Sequence, residues 1–252
     1  MKVWLKRRLT GLCYGYLRSQ HDWAHEKSPR VRHARVLPMA SHAPWVNDAA
    51  FLKVYETVRH ATLVDIMRLY ELWTLARQLD HVEGDFLEVG VWRGGSGCLL
   101  AMAGQREGRS VFLADTFTGV VKAGAHDTSY SGGEHADTGV DLVLEMARLC
   151  QVADTVRVLV GMFPENNAQH VSDRLALLHI DVDVYESARD VLLWAAPRLV
   201  RGAVVVFDDY GFFGCEGVTR MVNEFVAQNS GYRFLHNLNG HAVLIKVADH
   251  GE

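Results

Sequence analysis

The sequence lacks any run of about 18 apolar residues, so it predicts no membrane-spanning helix. The N-terminus also lacks the long apolar segment and the cleavage site of a signal peptide. Cysteines are few and scattered without a Cys-x-x-Cys pair, which argues against zinc and against a disulfide framework. The four are Cys13, Cys98, Cys150 and Cys215. A reducing cytoplasm is the expected location.

Positive charge is also scarce over most of the chain. The formal net charge is −4, which argues against nucleic acid as a partner. Residues 1–36 are the exception, with nine Lys or Arg against two acids. Met1–Gln20 predicts a basic amphipathic helix, which either packs on its own domain or on a second subunit, or rests on an anionic membrane surface. We favour packing, and the aromatic residues of this arm make a homo-oligomer an open expectation.

The length of 252 residues suits one α/β domain with an extension. We predict a basic arm and connector over residues 1–48, in which His21–Asp48 is irregular. The domain itself is predicted over residues 49–252. Residues 49–80 have helical periodicity and predict two helices that cover one side of a cleft, ahead of the first strand.

Gly84–Gly97 is the stretch around which the domain is organised. Its apolar run predicts a buried strand, which breaks at glycines and continues into a helix over Cys98–Ala103. Glycines let a ligand approach the backbone, and a helix N-terminus offers unpaired N–H donors. Glu88, at the end of the strand, is a candidate acceptor for a ligand hydroxyl or amine. The glycine spacing differs from the dinucleotide fingerprint and suits a nucleoside without phosphates, although a simple packing role stays open.

Two further strands predict the rest of a nucleoside site. Ser110–Ala114 ends at Asp115, where an acid of a doubly wound fold accepts from both ribose hydroxyls. The alternative is that Asp115 is a turn or helix-capping residue. Val156–Val160 ends at Gly161, which could line an adenine slot.

Acids in pairs follow the next two apolar strands. Leu175–Ile180 runs into Asp181 and Asp183, and Ala203–Phe207 runs into Asp208-Asp209. Parallel strands end at one edge of a sheet, so these acids converge and repel unless a cation neutralises them. Carboxylates without nearby Cys or His ligands suit Mg²⁺ or a similar divalent ion. The alternative, helix capping, explains one acid of each pair.

Residues 120–138 are glycine-rich, polar and too long for a plain turn, so we predict a lid over the cleft. Its candidate substrate contacts are His126, Asp127, Tyr130 and His135. The alternative is that they are ordinary solvated loop residues.

Five features in order carry a family resemblance. They are Glu88–Ser96, Ala114–Gly119, Val160–Phe163, Ile180–Tyr185 and Phe207–Tyr210. The series resembles the macrocin O-methyltransferase family, metal-dependent enzymes that use S-adenosylmethionine to methylate sugar hydroxyls. The resemblance runs from about Thr57 to Lys246 and does not cover residues 1–48.

The resemblance implies a class I methyltransferase fold, a doubly wound seven-stranded sheet whose last strand is antiparallel. It also implies that the substrate is a sugar or glycoside. The implied cofactor residues are Glu88, Gly90, Trp92, Gly94, Ser96, Asp115, Gly161 and Met162. The implied metal ligands are Asp181, Asp208 and Asp209, with Asp181 also the base. Substrate contacts are expected from Asp183, Tyr130, His126 and Tyr210.

Two other functions stay open. A catechol-type O-methyltransferase shares the acidic metal site, but commonly has Asp-Asn where this chain has Asp208-Asp209. A catalytically inactive membrane-surface or scaffold protein would account for the basic N-terminus.

Overall fold

The computed structural model describes residues 3–19, 24–28, 31–34 and 42–248. The chain divides into two compact units, Met1–Pro44 and Trp45–Glu252. Among the described residues, none of the helices has the length and apolar character needed to cross a bilayer.

The described residues of the first unit form a helix and a pair of strands. Helix α1 spans Val3–Ser19, and strands β1 (Ala24–Ser28) and β2 (Val31–Ala34) pair antiparallel. The irregular connector predicted for His21–Asp48 is therefore wrong where these strands lie. Strands of four or five residues are too short for their alternation to be recognised in a sequence. Residues 20–23, 29–30 and 35–41 of the predicted arm and connector lie outside the described residues.

The second unit alternates strands and helices. Two helices precede the sheet, as predicted: α2 (Ala49–Val58) and α3 (Ile66–Arg77). The remaining elements are β3 (Asp85–Val89), α4 (Gly95–Ala103), β4 (Val111–Asp115), α5 (Val140–Leu149), β5 (Val156–Val160), β6 (Leu175–Ile180), α6 (Tyr185–Ala195), β7 (Leu199–Phe207), α7 (Glu216–Gln228), β8 (Tyr232–Asn237) and β9 (His241–Lys246).

One seven-stranded sheet has the order β5-β4-β3-β6-β7-β9-β8. The strands from β5 to β7 are parallel, and β9 pairs antiparallel with both β7 and β8. The predicted doubly wound sheet with an antiparallel last strand is confirmed. Every residue of β6 is buried, because a parallel strand at the centre of such a sheet has helices on both faces. Helices α2 to α5 pack on one face, and α6 and α7 pack on the other.

The order in which strands are added to the sheet reverses at β3. After β3 the strands are added on one side, and β6 then returns to the other side of β3. A doubly wound sheet opens a crevice at such a point, outside the carboxyl ends of the strands. Asp115 ends β4, Asp181 and Asp183 follow β6, and Asp208 and Asp209 follow β7.

Gly90 directly follows β3 and lies against Asp181, the residue that follows β6. Its φ is +88°, and a Cβ atom added there would lie 1.7 Å from the carbonyl oxygen of Asp181. A glycine is therefore required both by the left-handed backbone and by the contact.

We expect Gly90→Ala to lower the free energy of unfolding by more than about 3 kcal/mol, because the backbone of β6 has to move. The matched control is Gly108→Ala, since Gly108 has a similar φ of +78° but no heavy atom within 4 Å of the added Cβ. That control should lose only about 1 kcal/mol, the cost of the left-handed backbone. Urea unfolding followed by tryptophan fluorescence measures both variants. Equal losses would contradict the steric account.

Candidate functional site

A cavity of about 310 Å³ opens at the carboxyl edge of the sheet. Its lining comes from the residues after β3, β4, β5, β6 and β7, from the start of α4 and from residues 120–138. Six of the predicted cofactor residues line it: Gly90, Trp92, Ser96, Asp115, Gly161 and Met162. Gly94 does not, because its left-handed conformation forms the N-cap of α4 and packs against Val143.

Asp115 shapes the glycine turn from the end of β4. One of its carboxylate oxygens accepts hydrogen bonds from the backbone N–H groups of Val91 and Trp92, both at 2.9 Å. The other oxygen accepts from the N–H of Phe117 at 2.7 Å. Asp115 thus holds a turn, which was the alternative role given by the sequence, and it also lines the cavity. Its role toward a ribose stays a prediction.

Glu88 lies beneath the cavity and does not line it. Residue 88 of β3 and residue 179 of β6 are register partners, so their side chains lie side by side. Both are fully buried, and His179 Nδ1 is 2.8 Å from Glu88 Oε1. This corrects the interpretation of Glu88 as a direct acceptor for a ligand, because its side chain is enclosed between the sheet and α4. Among the described residues, Glu88 Oε2 has no hydrogen-bond partner.

Three carboxylates converge at the neighbouring ends of β6 and β7. Asp181, Asp208 and Asp209 each offer an oxygen, and these oxygens lie within 4.8 Å of one another. Burial, and then repulsion from the neighbouring carboxylates, raises the pKa of Asp181 and of Asp209 well above the usual range. The predicted metal ligands are therefore brought together, with excess negative charge that a cation would relieve.

Asp208 differs from the other two acids because the protein supplies its counter-charges. Arg68 from α3 contacts its Oδ2, and His241 from β9 lies 2.9 Å from its Oδ1. Burial alone would raise the pKa of this carboxyl, but the histidines beside it and Arg68 hold it below its usual range. Asp208 is thus an ionised group in a compensated environment.

A chain of hydrogen bonds continues from Asp208 to α3. His241 Nδ1 lies 2.6 Å from Glu71 Oε2, and Nε2 lies 2.9 Å from Asp208 Oδ1. Each ring nitrogen therefore faces a carboxylate oxygen, an arrangement satisfied when both nitrogens donate. Glu71 also accepts from the side chain of Asn239 at 3.0 Å. This network fixes the orientation of His241 and, through it, that of Asp208.

Histidine and cysteine side chains lie close to the acids, contrary to the sequence expectation. His179 and His241 can share an ion with Asp208, and Cys215 can share one with Asp183 and Asp209. His179 Nε2 is 3.7 Å from Asp208 Oδ1, the distance of an ion pair rather than a hydrogen bond. Burial disfavours the charged ring, but the carboxylates of Asp208 and Glu88 outweigh it and raise the pKa of His179 to about 9.

Of the predicted substrate contacts, Tyr130 and Asp183 meet at the cavity wall. The Tyr130 hydroxyl donates to Asp183 Oδ1 at 2.5 Å, and both residues line the cavity. Asp183 has a φ of +66°, unusual for a residue with a side chain, and its N–H donates to Asp209. Burial of the phenol and the charge of Asp183 raise the pKa of Tyr130.

His126 and Tyr210 do not line the cavity. His126 Nδ1 is 2.8 Å from Arg220, and its ring packs on Tyr185 with centroids 4.6 Å apart. The Tyr210 hydroxyl donates to Asn223 at 2.9 Å on a buried side chain. Position in a loop or beside an acid pair does not determine side-chain direction, which here is set by helices α6 and α7.

The predicted lid, residues 120–138, contains no helix or strand. Lys122 binds Glu165 and Asp190 near one end. Near the other end Asp137 accepts from the indole of Trp92 at 2.9 Å and pairs with Arg93. Two of the predicted substrate contacts in this lid remain. His135 lines the cavity, whereas Asp127 accepts a hydrogen bond from the N–H of Tyr185 at the start of α6. Its opening and closing stay a prediction.

Sequence reasoning missed Arg68, Glu71, His179 and His241. One signal was available for His179, a polar residue within the otherwise apolar run of β6. Arg68 and Glu71 lie three residues apart in an amphipathic helix, where charged residues are ordinarily solvated. His241 follows a turn whose composition predicts only a hairpin.

Comparison with known proteins identifies the family. The family described as macrocin-O-methyltransferase matches residues 57–246. A Streptomyces olivaceus enzyme named 8-demethyl-8-(2,3-dimethoxy-alpha-L-rhamnosyl)-tetracenomycin-C 4'-O-methyltransferase is 35% identical over 174 residues, which cover 64% of this chain and 66% of that enzyme. Mycinamicin III 3''-O-methyltransferase of Micromonospora griseorubida is 34% identical over 200 residues, which cover 70% of this chain and 78% of that enzyme.

A solved structure is similar as well. The O-methyltransferase NovP superposes with a TM-score of 0.65 at 26% identity, and the match covers 75% of this chain and 83% of NovP.

We expect Arg68→Met to lower the free energy of unfolding by about 3 kcal/mol, because it leaves Asp208 buried without its guanidinium partner. Added Mg²⁺ should restore part of the loss by supplying positive charge. The control is Arg148→Met, since Arg148 pairs with Glu145 while both side chains are more than half exposed. Its loss should stay within about 0.5 kcal/mol. Urea unfolding distinguishes them, and equal losses would show that Asp208 does not depend on Arg68.

Proposed function

The chain belongs to the macrocin-O-methyltransferase family and is an S-adenosylmethionine-dependent O-methyltransferase; we propose that it methylates a hydroxyl of a sugar with the help of a divalent cation. The observation that carries this proposal is the meeting of two sets of groups at one cavity. A glycine turn with Asp115 forms one wall, and Asp181, Asp208 and Asp209 form the other.

The donor set fits a hard divalent ion such as Mg²⁺. Its three carboxylate oxygens lie within 4.8 Å of one another, and burial together with their mutual repulsion raises the pKa of Asp181 and of Asp209. The nearby histidines do not make the site a better match for zinc, because both ring nitrogens of His241 already face carboxylates. A bound divalent ion would lower the pKa of an acceptor hydroxyl and stabilise its developing negative charge.

The methyl donor is proposed to bind at the glycine turn. Gly90, Trp92 and Ser96 would contact its amino-acid and ribose portions, and Gly161 with Met162 would line the adenine. Asp115 has both carboxylate oxygens engaged with backbone N–H groups, so it would offer its remaining lone pairs to the ribose. Glu88 would act from beneath, by fixing His179 and the floor of the cavity.

Asp181 is the proposed general base. It lines the cavity, where its carboxylate would face the acceptor hydroxyl. The acceptor hydroxyl would give its proton to Asp181, and its oxygen would form the new bond to the methyl carbon as the carbon–sulfur bond breaks. S-Adenosylhomocysteine leaves. Asp183 and Tyr130, joined by a hydrogen bond beside Asp181, are proposed to orient the acceptor.

A sugar is the proposed acceptor because the name of the tetracenomycin enzyme includes a rhamnosyl group. The cavity offers several carboxylates that can accept hydrogen bonds from neighbouring hydroxyls. A catechol also presents two adjacent hydroxyls. An assay with rhamnosides and catechols side by side therefore tests the acceptor class, and activity on catechols alone would contradict the proposal.

Removal of metal with EDTA should abolish methyl transfer, and Mg²⁺ should restore it. Calorimetric titration with S-adenosylhomocysteine, with and without EDTA, serves as the control. Micromolar binding in both conditions is expected because the glycine turn is built without the metal. Full activity in EDTA would contradict the metal site, and no binding in either condition would contradict the cofactor site.

Asp181→Asn should lower kcat by about a hundredfold or more, because it removes both the base and a metal ligand. Binding of S-adenosylhomocysteine should remain nearly unchanged, since the Asp181 carboxylate is not one of the groups proposed to hold the methyl donor. The matched control is Asp173→Asn, whose side chain is 91% exposed. A fully active Asp181→Asn variant would show that the base is misassigned.

A further inference from the structure

Helix α1 exposes an unusual number of large apolar side chains. Val3, Trp4, Leu5, Leu9 and Leu12 are between 42% and 71% exposed. Isolated exposed apolar residues are ordinary on a protein surface, but a cluster on one short element indicates a contact surface. The active-site cavity does not include any of them.

The leucines recur at helical spacing. Leu5, Leu9 and Leu12 are at i, i+4 and i+7, so they form one apolar face. Lys6 and Arg8 flank this face, and the guanidinium of Arg8 stacks on the ring of Trp4 at 4.9 Å. Apolar residues are thus bordered by long cationic side chains whose stems can lie along an apolar surface.

Charge on the helix is of one sign. Val3–Ser19 contains Lys6, Arg7, Arg8 and Arg18 but no acidic residue. The whole chain has a formal net charge of −4, so the remainder is strongly acidic. An anionic surface would attract this helix and repel the rest of the protein.

The helix is also weak on its own. Gly11 and Gly15 lie within it. A Cβ added at either would meet no atom within 4 Å, so packing does not require glycine there. Each costs about 1 kcal/mol of helix stability relative to alanine. A helix of this kind gains order when its apolar face is buried against a surface.

We propose that α1 lies along the surface of a lipid bilayer that contains anionic phospholipids. The leucine face enters the boundary between headgroups and acyl chains, with Trp4 at the level of the headgroups. Lys6 and Arg8, which flank the leucine face, bind the lipid phosphates, and Arg7 adds to the positive charge of the helix. The exposed leucines favour a bilayer over nucleic acid, which would use the cations alone. The proposal does not depend on the chemistry at the cavity.

The test is flotation of the full-length protein with vesicles of phosphatidylcholine containing phosphatidylglycerol, and with vesicles of phosphatidylcholine alone. The protein should float with the anionic vesicles, and high salt should weaken binding. The charge variant Lys6→Gln/Arg7→Gln/Arg8→Gln should bind about a hundredfold more weakly. Leu9→Glu should lose at least about tenfold, because it puts a charge in the apolar face.

Leu142→Glu is the matched control, since Leu142 is 47% exposed on α5 in the other unit. It should float like the unchanged protein, and urea unfolding should show all variants folded alike. No flotation of the unchanged protein with anionic vesicles, or equal flotation of Leu9→Glu, would overturn the proposal. Sedimentation analysis supplies a further check, because a dimer that Leu9→Glu dissociates, without vesicle binding, would identify a second copy as the partner.

Discussion

Repulsion among carboxylates gathered at one edge of the sheet is the constraint on which the site depends. Asp181, Asp208 and Asp209 offer oxygens within 4.8 Å of one another. The protein compensates one of them directly, through Arg68 and His241, and leaves the other two with raised pKa values. This division keeps Asp208 ionised and positioned, while the remaining charge is available to a cation. If cationic side chains neutralised all three carboxylates, the site would no longer attract a metal ion. If they neutralised none, three buried negative charges would repel one another.

The topology of the sheet brings these groups together. Because β6 returns beside β3, the carbonyl of Asp181 passes against Gly90, so the wall proposed for the metal touches the wall proposed for the cofactor. The same pairing sets Glu88 beside His179 beneath the floor. Backbone pairing of two neighbouring strands thus sets the positions of both parts of the cavity, which would hold the proposed methyl donor and acceptor close together.

The sequence predicts the parts of the site that follow from strand ends. Parallel strands bring their carboxyl ends to one edge, so the convergence of Asp181, Asp208 and Asp209 could be derived without coordinates. The burial of Glu88 could not, because it depends on which residue of β6 lies beside it. Arg68 meets Asp208 across 140 positions of sequence, and helical periodicity gives no sign of such a contact. Loop residues are least predictable, as His126 shows by packing on Tyr185 outside the cavity.

The first turn of helix α3 is capped by the same residue that positions the side chain of Arg68. Asp65 caps the helix by accepting from the N–H groups of Met67 and Arg68, and its second oxygen accepts from the Arg68 side chain at 2.8 Å. The capping residue therefore aims the guanidinium that neutralises Asp208. Glu71, one turn later on the same face, holds His241 on the other side of that carboxylate. One short helix ahead of the sheet thus supplies Arg68 to Asp208 directly and Glu71 to the histidine beside it, so part of the site precedes the glycine turn in the sequence.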